Sequence, residues 1–165
     1  ISKGLVGSEM CIRDSKYLYR SLKEEVPEAY YTTEIGKANL VSSGDDLTIV
    51  TYGLGVHWAL EEMKNRPDIQ AEIIDLRSLV PLDTETIYAS VKKTGRAIVL
   101  HEDCISGGIG GELTALITEH CFEFLDAPVL RVGSLNSPVP FAATIEAIFL
   151  PQERFTKAVD QLLNY

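Results

Sequence analysis

Two neighbouring stretches carry residue types that do chemistry. "HEDC" puts His101, Glu102, Asp103 and Cys104 in a row after an apolar run, Ala97 to Leu100. "GGIGG" follows shortly, with Gly107, Gly108, Gly110 and Gly111 leading into a helix-like stretch. Open α/β sheets place ligands at the carboxyl ends of their strands, and a helix N-terminus after a glycine loop can hold phosphate. A Cys104 nucleophile with His101 as base would need a third group to orient the base. Four consecutive residues cannot all face one metal, and no second cluster at ligand spacing accompanies them. As a nucleotide cradle the loop is incomplete. Counted from Gly108 it reads G-I-G-G-E-L, without the last glycine of the dinucleotide fingerprint, and no lysine follows in the manner of a P-loop. The plainer expectation is structural: Gly107, Gly108, Gly110 and Gly111 permit a sharp turn and close packing of helix on sheet. HEDC is then a polar strand end satisfied by neighbouring helix or subunit contacts.

The remaining candidates are weaker. His57, beside Trp58, reads as a packing or capping histidine, and His120 sits at a helix end where the dipole favours it. Cys11, Cys104 and Cys121 form no CxxC pair, which fits a reduced compartment. The stiff apolar loop Pro138 to Phe141 is unlike an ordinary polar loop, so Pro138, Pro140 and Phe141 are interface candidates. The alternative is that Phe141 covers the local core. No catalytic, cofactor-binding or metal-binding residue is expected on this chain itself.

These groups need elements to position them. In a chain of 165 residues, 45% hydrophobic and 24% charged, one globular domain can hold them all. The net charge of −9 excludes the basic face that nucleic acid requires and suits a basic protein partner. No apolar run reaches the roughly 20 residues of a membrane-spanning helix. "GKANLVSS" and "LTIVTYG" read as strands joined at Gly44-Asp45-Asp46 into a hairpin. "VHWALEEMKNR" has Val56, Ala59, Leu60 and Met63 at helical spacing. "EIIDLRSL", "RAIVL" and "PVLRVGS" are further strands. Between them lie a helix capped by Asp83 and closed by Gly95, and another over residues 112–122. Pro151 opens a last helix, with Phe155, Ala158, Val159, Leu162 and Leu163 along one face. The alternation predicts a three-layer α/β domain over residues 33–165, with a mostly parallel five-stranded sheet and one antiparallel strand. Residues 16–32 read as a linker or arm, and residues 1–15 as a non-native segment from assembly or cloning.

Several stretches together resemble a known family. "KYLYR", "EIGKANLVSSGDDLTIVTYGLGVHWALE", "IIDLRSLVPLD", "SVKKTGRAIVLHED", "GGIGGEL" and "FLDAPVLRVGSLNSPVPFA" resemble the C-terminal, transketolase-C-like domain of 2-oxoacid dehydrogenase beta subunits. Within that family the similarity is greatest to branched-chain (2-oxoisovalerate) dehydrogenases, with pyruvate and acetoin dehydrogenases as alternatives.

The resemblance implies a thiamine diphosphate- and Mg²⁺-dependent parent enzyme, which decarboxylates a 2-oxoacid and acylates lipoyl groups. It implies that the cofactor belongs to domains outside this segment, so none is expected on the fragment and the fragment alone is inactive. The implied partners are alpha-type and second beta-type subunits, in a parent that is a homo-oligomer of such parts, and the peripheral subunit-binding domain of the acyltransferase. Matched motif to motif, the partner-binding residues are Asp126 of "FLDAP" and Tyr165 with its carboxylate. The implied setting is the cytoplasm of a bacterium, a mitochondrial origin being the alternative. Asn136 stands where relatives often carry aspartate, which puts a charge-dependent role there in question. The rival reading is a stand-alone nucleotide- or flavin-binding oxidoreductase module, which would need the 107–111 loop to hold phosphate.

Overall fold

Strands without a polar face set the architecture. In the computed structural model, which describes residues 18–23 and 25–165, β2 (Leu47–Thr51) is buried at every position. β3 (Ala71–Asp75) and β4 (Ala97–Cys104) are buried over most of their length. A strand apolar on both sides must be covered on both, and the chain supplies helices for each. Ile49, Ile73, Ile98 and Leu100 face one layer with Trp58, Ala59, Phe155, Val159 and Leu162. Their sequence neighbours Val50, Ile74, Ala97 and Val99 face the other, with Ile87, Val91, Leu113 and Ile117. The first layer is formed by α2 (Leu54–Asn65) and α6 (Gln152–Leu163), the second by α3 (Thr84–Thr94) and α4 (Gly110–Cys121). β5 (Leu130–Ser134), the short α5 (Ala143–Phe149), α1 (Leu18–Ser21) and a 3-10 turn over Phe122–Phe124 complete the described elements, with β1 (Asn39–Ser42) at one edge. The expected three-layer fold is therefore the observed one. The expectation for residues 1–15 lies outside the described residues.

The strand order is β1-β3-β2-β4-β5, parallel except for β1. The expected hairpin is not there. β1 runs antiparallel to β3, with Asn39 opposite Asp75 and Leu40 opposite Ile74, and β3 lies between β1 and β2. The turn at Gly44 to Asp46 does its work on the start of β3 instead. Asp46 donates its N–H to the Gln70 carbonyl (3.0 Å) and accepts the Gln70 N–H on Oδ2 (2.7 Å). A Cβ on Gly44 would fall 2.1 Å from the same carbonyl, so only glycine lets β3 in. Fully buried β2 gains a ladder on both sides this way, and half-buried β1 takes the edge.

Local signals mostly hold. Asp83 caps α3 by accepting from the Thr86 N–H (3.2 Å) and also takes the Ala38 N–H (3.0 Å), tying the approach to β1 onto that helix. Gly95 ends α3 in the left-handed region, at φ 68°. α2 starts two residues earlier than its pattern suggested, and Leu60 turns out to be exposed while Trp58 is buried. Leu18 of α1 packs against the α2–α6 layer. Arg66 bridges Glu62 (2.9 Å) and Asp160 (2.6 Å), joining the ends of α2 and α6.

One buried polar group links three elements. Glu72 of β3 accepts from Lys93 of α3, which also pairs with Asp45 (3.3 Å) in the turn before β2. Beside it Thr48 bonds Ser90 and Thr94, both at 2.8 Å. Burial works against the Glu72 charge, but the bonds from Lys93 and Ser90 outweigh it and hold the carboxyl below its ordinary 4.5. A lowered folded value stabilises the fold above the unfolded value and is lost as pH falls through the folded one. Glu72→Gln should therefore cost about 1–2 kcal/mol at pH 7. In denaturant melts the variant and the parent should converge as pH drops well below 4.5. A constant gap down to pH 3 would assign the loss to packing rather than charge.

Candidate functional site

The carboxyl edge of the sheet holds every residue first singled out for chemistry. β4 is longer than its apolar run and carries HEDC within the strand. His101 is wholly buried. The glycine loop closes over its ring: a Cβ on Gly110 would lie 2.4 Å from Nε2, and one on Gly108 2.7 Å from Cε1. A Cβ on Gly133, in β5, would likewise lie 2.8 Å from Cε1. The inner face of the loop is thus filled by the chain's own imidazole, which leaves no room there for a diphosphate. Gly107 differs, with φ 79° and open space around it, and serves the turn itself. Gly111 lies against Arg131, where a Cβ would be 3.4 Å from a guanidinium nitrogen.

The rest of HEDC is used locally. Asp103 accepts from the Cys104 N–H (2.8 Å), and the Ser134 hydroxyl donates to the Glu102 carbonyl (2.6 Å). The Cys104 thiol, half-buried, lies 3.9 Å from the Ser137 carbonyl. Asn136 uses both ends of its amide, accepting from the Ser106 N–H and donating to the Ser106 hydroxyl, each at 2.9 Å. Among the described residues no group of three or more His, Cys, Asp or Glu could hold a metal.

His57 is not a cap. It lies inside α2, whose N-terminal flank is Gly53, and lines a cleft of about 370 Å³. The cleft runs between α1, α2 and the start of α6, with Trp58 and Leu150 in its walls and three carboxylates, Glu61, Glu102 and Glu146. Nearby at the end of β3, burial raises the pKa of Asp75 despite the Arg77 N–H it accepts (3.2 Å). Arg77 itself sits at φ 54°, a strained conformation for a side chain with a Cβ.

The interface candidates lie on the same edge. Phe141 is fully exposed, so it does not cover the local core; Pro138 is exposed and Pro140 half-buried. Ile145 and Ile148 of α5 extend the exposed apolar surface. Sequence reasoning missed what fixes this region. Arg154, in the first turn of α6, donates to the carbonyls of Gly133 (3.1 Å), Ile148 (3.1 Å), Phe149 (2.7 Å) and Leu150 (3.0 Å). Its only sequence signal was a long cation one residue before the buried Phe155 on an amphipathic helix.

Asp126 and Tyr165 are both exposed and occupy the opposite, amino edge. Asp126 donates its N–H to the Gly95 carbonyl (2.8 Å), and its carboxylate rests on Gly95 where a Cβ would come within 2.5 Å. Tyr165 ends the turn after α6. On that edge His120 stacks on Tyr88 (4.7 Å) and bonds the Leu116 carbonyl, as a helix-end histidine should.

Comparison with known proteins agrees with this geometry. The family model for the transketolase C-terminal domain matches residues 36–154. The 2-oxoisovalerate dehydrogenase subunit beta of Bacillus subtilis is 42% identical over 140 residues, 83% of this chain and 43% of that one. The pyruvate dehydrogenase E1 component subunit beta of the same organism is 45% identical over 139 residues, 83% of this chain and 42% of that one. The 2-oxoisovalerate dehydrogenase subunit beta of Pseudomonas aeruginosa is 48% identical over 118 residues, 72% of this chain and 33% of that one. The chain thus spans less than half the length of these relatives. A solved split-gene transketolase, described as an inactive beta4 tetramer, superposes with a TM-score of 0.64 at 29% identity, covering 84% of this chain and 46% of that one.

The packing around His101 is directly testable. Gly110→Ala forces a methyl into a ring that cannot move, and should cost about 3 kcal/mol. Gly107→Ala meets nothing and should cost only the left-handed backbone penalty, about 1 kcal/mol. His101→Ala should remove most of the Gly110→Ala penalty in a double-mutant cycle read by denaturant unfolding. Additive losses would show that the ring is not what the glycines accommodate.

Proposed function

The chain belongs to the transketolase C-terminal domain family, and from that premise we propose that it is an assembly domain of the decarboxylating component of a 2-oxoacid dehydrogenase complex. The observation that carries the reading is the family match over residues 36–154 on a domain whose glycine loop is filled by its own His101. Such a domain supplies surfaces and lacks a phosphate cradle at the place where the fold would hold one. Thiamine diphosphate and Mg²⁺ are then bound by other parts of the parent enzyme, and the chain by itself is inactive. For the whole enzyme the proposed substrate is a branched-chain 2-oxoacid, on the strength of the motif resemblance. Relatives named for 2-oxoisovalerate and for pyruvate match equally well, so substrate preference of the assembled enzyme is the measurement that decides.

The proposed partners are alpha-type and beta-type subunits, contacted through Pro138, Pro140 and Phe141, and the acyltransferase's peripheral subunit-binding domain, docked at Asp126 and Tyr165. An exposed carboxylate on an acidic chain attracts a basic domain and steers its approach. The proposed location is the bacterial cytoplasm.

Two measurements test this. In the assembled enzyme, Asp126→Asn should weaken capture of the subunit-binding domain by about tenfold, mainly through faster dissociation. The difference should shrink as salt rises. Equal capture with and without Asp126 removes that contact from the proposal. On the chain alone, NAD, FAD and ATP should each leave the melting temperature unchanged, since a ligand bound only by the native state raises it. A saturable rise with any of them would favour an oxidoreductase module.

A further inference from the structure

The last strand of the sheet has an open side. β5 ends the order β1-β3-β2-β4-β5, so among the described residues no strand lies beyond it. Ser134 turns its carbonyl inward, where it accepts the Ile105 N–H (3.0 Å). Gly133, one residue earlier, turns its own to the opposite side, where Arg154 donates to it (3.1 Å). Backbone groups alternate in this way along a strand, so Arg131, two residues before Gly133, also turns its N–H and carbonyl outward. Beside them runs a groove of about 220 Å³, with Leu130 and Arg131 on one wall. Arg154, Lys157, Ala158 and Gln161 form the other wall, at the spacing that puts helix residues on one face.

We propose that this edge takes an extended acidic segment of another protein as an added strand, with two neighbouring carboxylates, one for each face of the sheet. Open edge strands are templates for such additions; main-chain pairing supplies affinity and side chains supply the choice. Here the choice falls to cations. Leu130 and Val132 pack toward the α2–α6 layer, so Arg131 points to the other face, beside Gly111 at the start of α4. Arg131 has no hydrogen-bond or ion-pair partner among the described residues. On the α6 face stand Lys157 and Arg154. Lys157 is shared with Glu153 (2.6 Å), whereas Arg154 bonds carbonyls alone, so no carboxylate among the described residues neutralises it by direct contact. Successive residues of an added strand point to opposite faces, so adjacent carboxylates reach Arg131 on one side and Lys157 with Arg154 on the other. The same charges deter a second apolar edge, which is how open strands are kept from aggregating. Against a net charge of −9 the selection is local, made by contact rather than by the overall field. It is independent of the contacts at Phe141 and Asp126.

The probe is capped Thr-Val-Glu-Glu-Val-Thr, beside its Gln-Gln counterpart, titrated into the full chain and followed by amide NMR and hydrogen exchange. The Glu-Glu peptide should bind about fivefold more tightly, within the range that exposed ion pairs give. At saturation, exchange of the Arg131 amide should slow, while that of Val132, already turned to β4, stays as it was. Arg131→Gln and Lys157→Gln, both at exposed positions, should each remove much of the difference between the peptides and leave the melting temperature close to the parent's. Slowed exchange at Arg131 with equal binding of the two peptides would mean a template that does not select acidic strands. Glu-Glu binding that leaves the Arg131 amide unprotected, and is matched by inorganic phosphate, would mean a small-anion site. Protection of that amide in the chain alone, lost on dilution, would make a second copy the occupant. Binding of neither peptide would remove the site altogether. Each of these four results overturns the proposal.

Discussion

A buried imidazole organises the carboxyl edge. His101 sits at the point where β4, β5 and the start of α4 converge, and it can sit there only because Gly108, Gly110 and Gly133 carry no side chain. Protein interiors are packed to near-crystal density, so volume taken by the ring is volume denied to everything else. The loop's backbone, its approach to α4 and the close passage of β5 all follow from that one placement. So does the chemistry: a glycine-rich turn in the position of a phosphate cradle has its inner space occupied by a neighbouring side chain. One scaffold can thus recur while the groups at its strand ends are put to different uses.

Around that closed centre the domain is held by polar clamps at the amino edge and left apolar at the carboxyl edge. Asp46 on Gln70, Glu72 on Lys93, Thr48 on Ser90 and Thr94, and Arg66 on Glu62 and Asp160 all join elements distant in sequence. Among them, Thr48 on β2 and Glu72 on β3 are buried polar groups that find their partners in this way. At the opposite edge the segments after β3 and β5, α5 included, present Val80, Phe141, Ile145 and Ile148 to solvent. Stability is thus concentrated at one end and contact surface at the other. Arg154 reconciles the two, because its guanidinium spends its donors on carbonyls where α5 ends and β5 passes.

What could be read along the chain was whatever depends on near neighbours. Strand runs such as "LTIV" and "AIVL", the Asp83 cap, Gly95 at φ 68° and the apolar stripe of α6 are short-range patterns, and they fix element type and hence the α/β class. The hairpin was misread for the same reason. Gly44-Asp45-Asp46 is turn chemistry, but turn chemistry reverses a chain without deciding which strand comes alongside. That choice belonged to β3, whose two apolar faces gain most from a place between β1 and β2.

The sequence by itself determined the layers, the parallel bias of the sheet and the absence of a complete catalytic pattern, because periodicity and motif spacing are local properties. Only the tertiary structure decided which residues share an edge. It put the exposed Asp126 on Gly95 rather than near HEDC, and turned Phe141 outward rather than into the core. It also gathered Glu61, Glu102 and Glu146 from three separate elements into one cleft. Those juxtapositions join residues 31 to 85 positions apart, and they are set by how two helical layers close on the sheet, which no window along the chain contains.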